Sequence, residues 1–421
     1  MTTEIAIVNR HAIALAADSA VTIGRSRVWK SANKIISLSP RNDIAIMIHN
    51  SADLLRVPWE TIIKHFRDDC CFTKFDKVSD CASAFFEHIH SNFIPRVTGL
   101  PEKEASLFVP IIDHIFDRSH EMNITPHESA KKIASEVSEH TVGSDRIDNF
   151  ISKQEFIERY GSIIKTICKS RFKKTPQSKT SSIIFGILYD IVSAKLSSEY
   201  DSGLVFCGFG SEELLPTVLH FSVDGSINGS LRSWCVNEVN LNTDALHSPV
   251  ILPFAQDDMI FLFMEGIFKN YLEFIESSIK TILDERAKSV VGRYVQDRDR
   301  ATAELRSQEM ENDKTVRELM LGFATYRNKQ FSGQILQVVR SLPKDEMAAM
   351  AEALVELTSL KRKVSNSIES VGGPTDVAVI SKGDGVVWIK RKHYFDIDIN
   401  GDYNYRRRLK IQGGQNGGQI E

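Results

Sequence analysis

Four short stretches within the first fifty residues read as β-strands, and they constrain the fold more than any other feature of the chain. Residues 4–9, EIAIVN, alternate polar and apolar side chains; His11 begins a turn, and AIALAAD from Ala12 reads as the hairpin partner. KIISL from Lys34 and DIAIMI from Asp43 follow, joined by the turn-rich SPRN. Such a meander must bury a face against other elements, and the rest of the sequence supplies helices to cover it. Pro58 stands at the start of a helix over VPWETIIKHFRDD, where Trp59, Ile62, Ile63 and Phe66 fall at helical spacing.

From about Asp76 to Lys195 the pattern is mostly helical, with apolar residues at three- and four-residue intervals in DKVSDCASAFFEHIHSNF, EASLFVPIIDHIFDR, PHESAKKIASEVSEH and QEFIERYGSIIKTICKS. Strand signals return with GLVFCGFG from Gly203 and TVLHFSVDGS, whose Asp224-Gly225 pair reads as a hairpin turn. A long helical stretch from about Asp257 to Lys363 is broken near Gly333 and Pro343. Its middle, QDRDRATAELRSQEMENDK, is so charged that it must be solvated or paired with another helix. TDVAVIS, the turn KGDG and VVWIKRK end the ordered pattern in β-structure, and QGGQNGGQIE is too polar to order itself. This order indicates an α+β core divided along the chain: core strands over 1–75, a helical insertion over 76–195, core strands and a helix over 196–284, a charged helical segment over 285–360, C-terminal core strands over 361–410 and a flexible tail over 411–421.

Composition narrows the function. A formal net charge of -3 gives no basic field to hold nucleic acid or an anionic membrane, so neither is an expected partner. The six cysteines (Cys70, Cys71, Cys81, Cys168, Cys207, Cys235) form no CxxC pair, a pattern that suits reduced thiols and a cytoplasmic location. The start of the chain shows no secretory signal, and no apolar run reaches membrane-spanning length.

The chemistry-bearing residues lie at the N-terminus. Methionine aminopeptidase removes Met1 before a small residue, which would leave Thr2 as the first residue. Its α-amine, with a pKa of about 7.7–8.0, is partly neutral near pH 7. A single threonine could then supply both nucleophile and base. Lys34, heading a strand, would disfavour the charged amine and stabilise developing negative charge, and Asp18, ending the second strand, would hold that lysine. Taken singly these features are ordinary, since Met-Thr-Thr is a common start and an Asp-Lys pair is often a plain salt bridge.

Together, Thr2, the AADS segment containing Asp18, and Lys34 at the head of a strand resemble proteasome β-type subunits and the bacterial proteasome-like peptidases, which are N-terminal nucleophile (Ntn) hydrolases. The spacing of the three residues matches that family without a gap. The resemblance implies a four-layer αββα sandwich and a threonine-type peptidase or amidase that works without metal or organic cofactor. It also implies a peptide or protein substrate, a closed homo-oligomer and, by analogy, an ATP-dependent unfoldase partner. In this family a backbone N–H at a glycine stabilises the oxyanion; here His49 or Asn50 stands at that place, without a glycine's freedom. The orienting residues near the C-terminus correspond to Glu369, Ser370 and Gly372 at altered spacing, and Gln256 or Asp257 stands where the family has a second orienting serine. Val21, Ala32, Ile36 and Met47 would line an apolar specificity pocket, although such residues equally suit a core. An inactive proteasome-like scaffold and an amidase for small molecules remain open readings of the same residues.

Other candidates are weaker. His88 and His90 sit at alternate positions of one helix, so they face different ways and read as surface histidines, with no HExxH between helix turns. GFGSEE lacks the lysine of a P-loop. RKHYFD and YNYRRRLK form a basic and aromatic cluster that reads as the charged fringe of a β-edge.

Overall fold

A computed structural model of the protein describes residues 3–23, 27–29, 31–38, 41–97, 104–141, 144–147, 150–173, 177–196, 201–364, 372–393, 395–396 and 398–400. It is 54% helix and 22% strand, an α+β composition. The chain divides into two compact units, one made of residues 1–32, 243–380 and 387–396, the other of 33–242, 381–386 and 397–421.

The first unit is built on a five-stranded sheet in the order Val250–Ala255, Thr3–Val8, Ile13–Ala17, Asp376–Ser381, Gly385–Lys390. Thr3–Val8 runs antiparallel to both of its neighbours, pairing Ile7 with Ala14 on one side and with Ile251 on the other. On one face Ile5, Ile7, Ala14, Ala16, Val377 and Val379 pack against Ile260, Val339, Met347, Ala351 and Val355 from the helices Asp258–Glu265, Gly333–Val339 and Lys344–Val364. Alanines across the hairpin let the long Lys344–Val364 helix lie close to the sheet. Asn9 ties the hairpin turn to these helices: its side-chain amide donates to the carbonyls of Val339 (2.9 Å) and Leu342 (3.0 Å) at a helix end. Every residue of Thr3–Val8 is buried, Glu4 included, so the alternation read in EIAIVN does not mark a solvent-facing side.

The charged stretch forms an antiparallel helix pair, Lys269–Tyr294 and Arg298–Arg327. Lys280 pairs with Asp313, and Asn312 donates to Asp284 at 2.9 Å; Val291 and Val316 are its buried residues. The pair is therefore held by polar contacts along largely solvated helices.

The second unit carries an antiparallel sheet in the order Ser230–Asn240, Thr217–Ile227, Ser202–Phe209, Asp43–Asn50, Ile35–Ser37. Helices Trp59–Asp69 and Val78–Asn92 cover one face, and Trp59, Ile62, Ile63, Phe66, Phe85 and Ile89 meet Ile44, Ile46, Leu204 and Phe206 there. Glu213 secures the second helix by accepting the N–H of Val78, its first residue, at 3.1 Å. Four further helices, Phe108–Glu121, Pro126–Thr141, Lys153–Phe172 and Ser178–Ser193, enclose an apolar core of their own that includes Ile227 from the sheet. Buried Glu104 anchors them by accepting from the Tyr160 hydroxyl, Ser226 Oγ (3.2 Å) and Gly229 N–H (2.7 Å). Burial, reinforced by this carboxylate, pushes the Tyr160 hydroxyl up to about 12.

The Asp224-Gly225 pair is not the hairpin turn that its sequence suggests. The strand runs through it to Ile227, with a register shift between Val223 and Gly225. The chain reverses instead at Asn228-Gly229, whose φ values of 54° and 73° are those of the two-residue turn that favours Asn-Gly.

Phe206 is fully buried between the edges of Phe85 and Phe221. Phe206→Ala is expected to lower unfolding stability by about 3–5 kcal/mol in urea titrations followed by circular dichroism, whereas truncation of the exposed Leu246 leaves it within about 0.5 kcal/mol.

Candidate active site

The strand pairing that fixes Thr3–Val8 also fixes a carboxylate at its start. Asp18 follows the Ile13–Ala17 strand and is 1% exposed. One carboxylate oxygen accepts the Thr3 backbone N–H at 3.0 Å; the other accepts the N–H of Gly372 at 2.9 Å and of Ala20 at 3.3 Å. Ser19 continues the link: its N–H donates to the Gly372 carbonyl at 3.3 Å and its hydroxyl to the Pro374 carbonyl. Asp18 thus joins the N-terminal strand to the segment leading into Asp376–Ser381, as charge-assisted hydrogen bonds to buried N–H groups can.

Thr3 is paired across the sheet with Ala255, whose φ of 65° lies in the left-handed region, an uncommon and costly conformation for alanine. Gln256, the next residue, is buried. Strain of this kind persists where surrounding structure over-determines it, often at functional sites.

In the second unit Lys34 is 4% exposed and precedes the Ile35–Ser37 strand, its carbonyl accepting the Ile48 N–H at 2.8 Å. His49 and Asn50 end the Asp43–Asn50 strand. Asn50 has a φ of 62°, a left-handed conformation that its short polar side chain permits. Its side-chain amide donates to Asp201 at 3.2 Å, and Asp201 also accepts from Ser222 Oγ at 2.5 Å.

His49 carries a feature that the sequence did not disclose. Ile48 joins the apolar cluster under the helices, so His49 projects from the other face, where its Nε2 lies 2.9 Å from Nε2 of His220. The ring crosses Gly203, and a Cβ added there would come within 1.7 Å of it, so only glycine admits the contact. Burial, then the neighbouring His220 and to a lesser degree the Lys34 charge, drives His49 down to about 3 against the opposing Asn50 hydrogen bond. Burial likewise lowers His220 to about 4, opposed by Asp201. A histidine in the middle of TVLHFS was the available signal, but nothing local identifies its partner, which is 171 residues away.

The remaining candidates separate. Thr2, Glu369 and Ser370 lie outside the described residues. Gly372 meets Asp18, as above. Val21 and Ala32 are half-buried in the first unit, where the Ala32 N–H donates to the Ser19 carbonyl at 3.1 Å. Ile36 and Met47 are buried in the second unit on opposite faces of its sheet, since Ile36 joins the helix-side cluster with Ile46 and Ile48 while Met47 alternates with them. All six cysteines are free, and no described helix is long and apolar enough to cross a membrane.

No family model matches the sequence, and no curated protein does. Among solved structures, Anbu (ancestral beta-subunit) from Yersinia bercovieri aligns over 100% of this chain and 97% of its own at 8% identity and a TM-score of 0.30. Anbu from Hyphomicrobium sp. strain MC1 aligns over 100% and 98% at 9% identity and a TM-score of 0.28. The likeness is distant. It says nothing of activity, and the chemistry has to come from the side chains themselves.

The histidine pair gives the protein a pH signature. Both folded-state values lie below the unfolded value of about 6.5, so the stabilisation is complete above that pH and is lost as pH falls towards 4 and 3. Between pH 7 and 5 the loss is expected to approach ~2 kcal/mol per imidazole. Urea midpoints across this range would show it, and a His49→Gln/His220→Gln variant would have a flatter profile.

Proposed function

We propose that the protein is an N-terminal threonine hydrolase that cleaves a peptide or amide bond through Thr2 once Met1 has been removed. The observation that carries this reading is the Asp18 clamp: the residue bonded to Thr2 has its N–H held at 3.0 Å by a buried carboxylate, beside a strained Ala255 and a buried Gln256. A backbone fixed in this way limits the motion available to a nucleophile one residue upstream, which is what attack at a defined carbonyl needs.

In the proposed reaction the Thr2 α-amine accepts the hydroxyl proton as Oγ attacks the substrate carbonyl. The N–H of His49 or Asn50 stabilises the tetrahedral oxyanion, which the left-handed conformation of Asn50 supports. Collapse expels the leaving amine, protonated by the α-ammonium, and leaves an ester on Thr2 that water hydrolyses with the amine again acting as base. In this reading Lys34 disfavours the protonated amine, and Asp18 positions the strand. Val21, Ala32 and Met47 stay on as proposed specificity determinants; Ile36, whose side chain packs in the helix-side core, does not. The αββα sandwich is proposed with the same reading. A helical insertion over 76–195, a cytoplasmic location, a closed homo-oligomer and an unfoldase partner belong to it as well.

Turnover of a fluorogenic peptide library tests the reaction. Thr2→Ala is expected to reduce turnover to background, and Lys34→Met to lower kcat by about 10²–10⁴-fold with little change in KM. Turnover that persists in Thr2→Ala would reject the mechanism.

A further inference from the structure

Outside the candidate active site, a cluster of metal-binding side chains sits where two helices of the second unit meet. His65 and Asp69 are four residues apart on Trp59–Asp69 and therefore share a face; His88 approaches from Val78–Asn92. His65 Nδ1 lies 3.1 Å from His88 Nε2 and 3.5 Å from Asp69 Oδ2, and one ligand atom from each of the three residues falls within 4.8 Å of the others. A tetrahedral ion with N and O ligands at about 2.0–2.2 Å needs ligand atoms about 3.3–3.6 Å apart.

We propose that His65, Asp69 and His88 bind a divalent first-row transition ion of the zinc type, which staples the C-terminal turn of the first helix to the second. Two imidazoles and one carboxylate are the donor set that such ions favour over magnesium or calcium. Asp69 Oδ2 already lies 3.4 Å from His88 Nδ1, so the carboxylate, its side chain 56% exposed, turns towards Nε2 to close the remaining edge, and water takes the fourth position on the solvent side.

The surroundings hold the two rings for this role. His88 is packed edge-on against Phe66, and His65 against Phe93. Asn92 places its side-chain amide 3.1 Å from His88 Nδ1, the nitrogen that a ligating Nε2 leaves over. Turned by half a rotation, that amide presents its oxygen to the Nδ1–H, the kind of partner that orients metal-bound histidines. The His49–His220 pair makes a weaker site, because among the described residues it brings no carboxylate within ligand distance of the two nitrogens.

The inference is independent of the hydrolase reading, and its test needs no activity. The full-length protein, stripped with a chelator and titrated with zinc, is expected to take up one ion per chain with micromolar or tighter affinity, raising Tm by several degrees. His65→Ala and Asp69→Asn, both at exposed positions, should each weaken binding at least about tenfold while leaving the zinc-free Tm unchanged. Cobalt in place of zinc should give visible d–d bands that His65→Ala abolishes. Failure to bind at millimolar zinc, or undiminished binding in the double variant His65→Ala/Asp69→Asn, would overturn the proposal.

Discussion

The Asp18 carboxylate accepts the Thr3 N–H through one oxygen and the Gly372 N–H through the other, in a place where it is 1% exposed. Burying an unpaired carboxylate costs several kcal/mol, so its position depends on the N–H donors that face it. The sheet guarantees them, because Thr3–Val8, Ile13–Ala17 and the Asp376–Ser381 strand run side by side, with Ala17 of the middle strand opposite both Glu4 and Asp376. The alanine-lined hairpin and the Lys344–Val364 helix packed on it keep these strands in register. Whatever chemistry occurs at the head of the chain inherits its rigidity from this arrangement.

The second unit treats buried polar groups in the same way but to a different end. Asp201 receives Ser222 and Asn50, Glu104 receives Tyr160, Ser226 and Gly229, and Glu213 receives Val78, Gly210 and Thr217. Each carboxylate joins segments distant in sequence, and each has its oxygens matched to N–H or O–H donors. The His49–His220 pair differs in being neutral: two nitrogens at 2.9 Å share one proton, and a further proton would place an imidazolium charge in a buried space. It can stand beside a buried lysine because neither ring is charged near pH 7.

Local pattern disclosed the elements that local physics decides. The Thr3–Val8 and Ile13–Ala17 strands and the Trp59–Asp69 helix follow from apolar spacing, and the charged helices pair as their composition requires. The Asp224-Gly225 pair does not reverse the chain because a bulge and a turn use the same residues, and Asn228-Gly229 four residues later is the stronger signal. Asp18 stood out in the sequence, but its bond to Gly372, 354 residues away, could not. His88 read as a surface histidine because its neighbours on the same helix face elsewhere; His65, from another helix, is what changes its meaning. Long-range side-chain pairs of this sort are set by topology, which spacing along the chain does not encode.

The most direct test of the N-terminal account is the intact mass of the purified protein before and after exposure to an epoxyketone, which reacts with both the hydroxyl and the free amine of an N-terminal threonine. The account predicts a mass lower than the full sequence by one methionine and a single adduct that peptide mapping places on Thr2. A retained Met1 with no adduct would contradict it, since a blocked amine leaves Thr2 without a base.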